Sequence, residues 1–249
     1  MTIRVRNRLI LILFVLTIAN LLLGCGFLLL QAVKGLLQAP EEPVRTFRLF
    51  SNVLNYSFAA TVVGIMFFFF YVPAAVIFLF FCFEKTQSIE VMFFLGFLLG
   101  CICEESRLLI CAGGLWQTIS ATLIFVGRLT VTGRLLAPLS LLFASLLNGN
   151  SQRQNTERNF LILILISIII GKSFPLNTTY TTTTCTVLWS YRPLFTMSRA
   201  LVFIATIITL LLPVLQTKSQ EGKKTLISYA FMINGYFILR SEERRVGKE

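Results

Sequence analysis

Cys101-Ile102-Cys103-Glu104-Glu105-Ser106-Arg107 puts two carboxylates and a guanidinium inside an apolar run, Val91 to Cys111. Such groups can bind an ion, carry a proton or neutralise one another. Near the middle of a membrane helix each costs about 2.5–3.5 kcal/mol on insertion scales, so each calls for a partner. Gly96, Gly100, Glu104, Arg107 and Cys111 recur at steps of three and four, which places them on one side of a helix. Gly96 and Gly100 form a G-x-x-x-G groove suited to close helix packing. Glu104 and Arg107, at i and i+3, stand where they can neutralise each other.

Depth points to a second partner. If this helix rises outward, Glu104 lies about two turns below its outer end, and Arg128 lies about two turns below the start of the next, descending helix. The expected pair is therefore Glu104 or Glu105 with Arg128, with Arg134 about one to two turns deeper. Glu104, Glu105, Arg107, Arg128 and Arg134 together make a candidate ligand site or intramembrane polar cluster. It reads as a structural clasp fixing helix register, as a ligand or signal site, or as an ion or proton path. Lys172 and Arg199, near outer helix ends, read as interface anchors.

Other chemistry is restricted by what the chain lacks. It has no His and no Asp. That removes the commonest general base, Ser-His-Asp triads and most zinc and magnesium sites. No nucleophile–base pair stands out, so an enzyme is not expected and no catalytic residue is assigned. Of the six cysteines, five fall in apolar segments and only Cys185 lies in an external loop, so a disulfide framework is not expected. Cys101-x-Cys103 has no His partner and reads as two small apolar side chains, so neither a metal nor a cofactor is assigned.

The elements that must hold these residues are membrane helices. Of 249 residues, 56% are hydrophobic and 13% charged, the charges clumped between long apolar runs. A soluble domain carries about 25% charged residues. The net charge of +11 reads as topology-setting Lys and Arg rather than a nucleic-acid footprint, because no soluble basic domain accompanies it. The fold class is all-α: a polytopic transmembrane bundle of about seven spans over residues 1–239. Helices are expected near 9–30, 58–83, 88–112, 120–147, 159–175, 198–215 and 225–239.

Several boundaries carry their own signals. Leu22-Leu23-Gly24-Cys25 resembles a lipoprotein cleavage box. However, the apolar run continues through Leu30, longer than a signal core of about 7–15 residues, so it reads as an uncleaved first helix. Pro40-Glu41-Glu42-Pro43 breaks the first loop, and 47–54 suits a short interfacial helix. The stretch around 120–147 holds Arg128, Arg134 and Pro138 and reads as one long helix, since two spans would each be too short. The threonine run 178–184 favours extended backbone.

Orientation follows from counting cations. With the N-terminus inside, the inner segments hold nine (Arg4, Arg6, Arg8, Lys85, Arg153, Arg158, Lys218, Lys223, Lys224) against four outside (Lys34, Arg45, Arg48, Arg192). That asymmetry places the N-terminus inside. The alternation works only if 120–147 is a single span.

The stretches FFLGFLLGCICEESRLL, FVGRLTVTGRLLAPLSLLFASL and RNFLILILISIIIGKSFPLNTTYTTTTCT, residues 93–109, 125–146 and 158–186, resemble an uncharacterised group of multi-spanning membrane proteins of spirochaetes. The resemblance implies a multi-pass protein of a bacterial inner membrane and brings no activity with it. The last ten residues, RSEERRVGKE, resemble the translation of a common sequencing adapter, which implies that 240–249 are not native and stand outside the fold.

The functional expectation is a sensory or structural membrane module. The alternative is a small transporter or channel subunit using the Glu and Arg residues of the third and fourth helices. The expected partner is the lipid bilayer. Nucleic acid is not a partner, and a protein partner or homo-oligomer stays open.

Overall fold

The computed structural model describes residues 3–34, 58–83, 89–113, 121–148, 156–181, 185–189, 192–217, 226–233 and 235–236. The expected interfacial helix at 47–54 and the 240–249 tail lie outside them. The chain is dominated by helix. In order come α1 (Ile3–Val33), α2 (Phe58–Phe83), α3 (Ile89–Glu105), α4 (Leu108–Ala112), α5 (Ala121–Asn148) and α6 (Thr156–Ser173), then strands β1 (Leu176–Thr181) and β2 (Val187–Trp189), then α7 (Arg192–Thr217). Residues 226–233 and 235–236 are also helical.

Among the described residues, four helices are long and apolar enough to cross a membrane: Arg6–Val33, Val62–Phe83, Ala121–Leu147 and Leu194–Leu211. This architecture fits a membrane protein. Large apolar side chains point outward, including Leu23, Phe67, Phe81, Ile169 and Leu201, while Glu104, Glu105, Arg107 and Arg134 are buried. Apolar surface on this scale marks contact with lipid or with partners, not water.

α5 is the central helix. Its 28 residues extend about 1.5 Å each, more than the roughly 30 Å hydrocarbon core needs. It packs against α3, α6 and α7, and its pairing with α3 is the most extensive in the molecule. Small residues allow this. A Cβ placed on Gly100 would lie 2.8 Å from the backbone nitrogen of Ala137 and 3.0 Å from the carbonyl oxygen of Gly133. One on Gly96 would lie 2.8 Å from Ser140 Oγ and 2.9 Å from Phe160. α1 packs on α2, and α2 on α3. Ile233 and Tyr236 bring the last helical segment into the same core as Phe97, Leu98 and Phe203.

Hydroxyls inside the bundle return to their own helices. Thr130, Thr132 and Ser140 donate to the carbonyls of Val126, Arg128 and Leu136 at 2.9, 2.9 and 2.6 Å. This satisfies them without water. Ser145 and Thr209 share a 2.7 Å hydrogen bond that ties α5 to α7.

Three features depart from the sequence reading. The helix expected over 88–112 is broken, with a turn at Ser106–Arg107 separating α3 from α4. The second large loop is not merely extended: β1 and β2 form an antiparallel pair, Leu176 opposite Trp189, with a register irregularity between Asn177 and Thr181. The fold is thus helical with one small hairpin, whose Leu176 and Val187 lie against Gly127 of α5. Finally, Cys185 is disulfide-bonded, contrary to the expectation of no disulfide. It is buried and takes a left-handed φ of 56°, just before β2. Counting cysteines by hydropathy does not report which of them pair.

Candidate functional site

The site begins where α3 ends. Ser106 Oγ donates to the carbonyl of Cys103 at 2.7 Å, offering the backbone an alternative to the helical ladder. The amides of Arg107, Leu109 and Ile110 then donate three residues back, to Glu104, Ser106 and Arg107, at 3.2, 3.0 and 3.0 Å. These are the tighter bonds of a 3₁₀ turn. The chain changes direction next to the two carboxylates, and the carbonyls there remain paired. Ser106 Oγ also lies 3.5 Å from Thr130 Oγ1, so the break sits directly on α5.

Glu104 faces α5. Its Oε1 lies 3.4 Å from Nε of Arg134, with the two side chains 4% and 0% exposed. Its Oε2 accepts a 3.0 Å hydrogen bond from the hydroxyl of Tyr236. Tyr236 is held by ring contacts, at 5.9 Å edge-on to Phe97 of α3 and at 6.0 Å to Phe203 of α7. One carboxylate therefore joins α3, α5 and the C-terminal helical segment, with α7 packed behind. Arg134 sits one turn before Pro138, which has no N–H to give the Arg134 carbonyl.

Glu105 faces another way. Its Oε2 accepts a short hydrogen bond, 2.5 Å, from the side-chain amide of Asn20 on α1. Its other oxygen, and Nε of Arg107, are buried and have no hydrogen-bond partner among the described residues. Adjacent carboxylates about 100° apart on a helix thus tie down opposite neighbours. Glu104 holds α5 and the C-terminal segment, while Glu105 holds α1.

The structure gathers Glu104, Glu105, Arg107 and Arg134, all at most 3% exposed, around the break. Gly96 and Gly100 line the seam that brings α3 to α5. Two expected pairings are not formed. Arg128 is exposed, and among the described residues no ion pair joins it to either glutamate. Six residues separate it from Arg134, which turns it about 120° around α5, away from α3. Matching by depth alone admitted both arginines, and the helical face selects Arg134. Among the described residues no ion pair joins Glu104 to Arg107 either, because the break carries Arg107 off the helical path on which i and i+3 meet. Arg128→Gln is therefore expected to leave stability within about 0.5 kcal/mol of wild type, as surface substitutions do. Thermal unfolding in detergent checks this, and a large loss would restore Arg128 to the cluster.

Arg199 also departs from expectation. It is 7% exposed within α7 rather than an interface anchor, whereas Lys172 is exposed at the end of α6. Asn20 and Tyr236 went unrecognised in the sequence. Asn20 carried a usable signal, as an amide inside an apolar run.

Among the described residues no group of three or more His, Cys, Asp or Glu is placed to hold a metal ion. A cavity of about 490 Å³ opens elsewhere, between α2, α3 and Tyr229, and none of the cluster residues lines it. No family model matches the chain, and no curated protein or solved structure matches it.

Proposed function

We propose that the chain is a multi-pass protein of a bacterial inner membrane, with about seven spans and its N-terminus inside, acting as a sensory or structural membrane module. In this reading the Glu104 cluster is a clasp that fixes how the helices pack. The observation that carries it is the double engagement of Glu104 by Arg134 and Tyr236, away from the cavity. A buried ion pair of this kind is a better device for specifying register than for adding stability. Two further spans, α3 with α4 and α6, complete the seven with the C-terminal segment. α3 is interrupted by the break, and α6 carries Glu157, Arg158 and Lys172 at its ends.

The disulfide at Cys185 supports the orientation. It lies in the connection that an inside N-terminus places outside, and disulfides persist on the oxidising side of a membrane. The second reading, a small transporter or channel subunit, is favoured by one observation: Oε1 of Glu105, beside a helix break, is buried with no hydrogen-bond partner among the described residues. Non-helical backbone at membrane depth commonly lines ion and substrate paths.

One labelling experiment separates these readings. Wild-type protein in sealed vesicles of each orientation is treated with a membrane-impermeant maleimide, with and without mild reduction, and labelled peptides are identified by mass spectrometry. Cys185 is expected to label only after reduction and only from outside. Cys103, a free thiol next to Glu104, is expected to label from neither side. Labelling of Cys185 from inside reverses the orientation. Labelling of Cys103 reveals a water path to the cluster and moves transport ahead of the clasp.

A further inference from the structure

Glu105 is 3% exposed and accepts one hydrogen bond, from the side-chain amide of Asn20. Its Oε1 has no hydrogen-bond partner among the described residues. Glu104, its neighbour on α3, has both oxygens engaged, one by Arg134 and one by Tyr236. Among the described residues no cation does the same for Glu105, and no ion pair joins it to the buried Arg107 two residues on. The groups close enough to feel its charge are neutral or acidic. From α1 they are Asn20 and the Cys25 thiol, and from α3 they are Glu104 and the Cys103 thiol. Both thiols are free. The seam beside them is apolar, built from Leu28 of α1, Ile65 and Phe69 of α2, and Leu108 and Ala112 of α4.

Two carboxylates thus sit side by side, and the one ion pair goes to Glu104. A second negative charge in the same buried volume meets both desolvation and the repulsion of the first. The carboxyl left without a cation avoids both costs by keeping its proton. The neutral form also suits its partner. A carboxylate only accepts, whereas a protonated carboxyl has an O–H to donate and a side-chain amide has an oxygen to receive it. Asn20 can therefore answer both ends of a neutral Glu105 and one end of an ionised one. A proton needs no cavity, which suits a position that the 490 Å³ cavity does not reach. Asn20 is half-buried, so movement of α1 away from the break both removes the hydrogen bond and uncovers the carboxyl.

We propose that Glu105 is a proton-binding site, protonated at neutral pH while α1 is packed on the break and ionised when α1 separates. The coupling is reciprocal: whatever lifts α1 releases the proton, and alkaline conditions favour the lifted arrangement. The proposal names the ion for the transport reading and stands without it, because transport also needs access to the site from both sides.

The test is infrared spectroscopy of the full chain in lipid vesicles, where a protonated carboxyl gives a C=O stretching band apart from those of amides and carboxylates. Wild type at neutral pH is expected to show this band, and Glu105→Gln is expected to lose it. Asn20→Leu removes only the hydrogen bond and is expected to shift the band in frequency. Gel filtration and thermal unfolding establish that each variant is folded; should Glu105→Gln not fold, the shift in Asn20→Leu decides. Raising the pH is expected to bleach the wild-type band. It is also expected to increase modification of Cys25 by N-ethylmaleimide about fivefold more in wild type than in Glu105→Gln, the low end of common coupling strengths. A wild-type spectrum without the band, a band unchanged in both variants, or equal pH responses of Cys25 each overturns the proposal. The band together with no maleimide labelling of Cys103 from either side keeps the proton site and overturns the transport reading alone.

Discussion

Arg134→Met is expected to destabilise the folded protein by about 3–5 kcal/mol, the usual consequence of removing one partner from a buried ion pair. The size follows from burial. The Glu104 side chain is 4% exposed and its Oε1 faces Arg134, so the substitution leaves a carboxylate in a low-dielectric interior with the Tyr236 hydroxyl on its other oxygen. Glu104→Gln creates the converse problem, a guanidinium without its carboxylate, and is expected to cost nearly as much. The double variant Glu104→Gln/Arg134→Met removes both charges and keeps an oxygen for Tyr236 to donate to. It is expected to recover most of the loss. Reversible unfolding in detergent or bicelles measures all four proteins. If the double variant loses the sum of the two singles, the pair is not coupled and the clasp is not the source of the effect.

Gly133→Leu is the second large effect. A Cβ at Gly133 would lie 2.5 Å from the Gly100 carbonyl oxygen, 2.8 Å from Cys103 Cβ and 2.9 Å from the Glu104 amide nitrogen. Two of these three neighbours are backbone atoms, which cannot rotate away. Overpacking typically costs about 1–3 kcal/mol and sometimes more. Here the separation forced on α3 and α5 also pulls Glu104 from Arg134, so the loss is expected at or above the top of that range. Gly26→Ala is the control, because a Cβ there meets nothing within 4 Å. Thermal unfolding of the two variants is expected to show a marked fall for Gly133→Leu and little change for Gly26→Ala. Comparable behaviour would mean that the α3–α5 seam is looser than its geometry indicates.

What could be read from the residues, and what could not, divides along a physical line. A carboxylate in an apolar run is costly wherever the run folds, so Glu104 and Glu105 were visible as a site without any tertiary knowledge. Helical period put Gly96, Gly100 and Glu104 on one face, and that face is the one pressed against α5. Partner choice was harder. Depth is a one-dimensional coordinate, whereas Arg128 and Arg134 differ in azimuth. Asn20 and Tyr236 lie 85 and 132 residues along the chain from the glutamates they bind, and no local pattern reports contacts at such separations. The break at Ser106 depends on whether a serine hydroxyl bonds back along a continuing helix or ends it. Ser140 and Ser167 do the first and Ser106 the second, with the same side chain. The threonine run announced extended backbone but not its pairing with Val187–Trp189, since β preference says nothing about register.

The clasp is assembled from parts that are synthesised far apart, and this orders the protein's biogenesis. α3 has 17 residues and is not among the helices long enough to cross a membrane by themselves. It emerges from the ribosome with both carboxylates before Arg134 has been made. Until α5 follows, its polar end belongs at the interface or in the insertion machinery rather than in lipid. Closure around Glu104 waits longer still, for Tyr236, among the last described residues. A nascent chain that stalls early therefore carries unpaired acids on an uncommitted helix, a state that membrane quality control can recognise. The finished chain has hidden that mark.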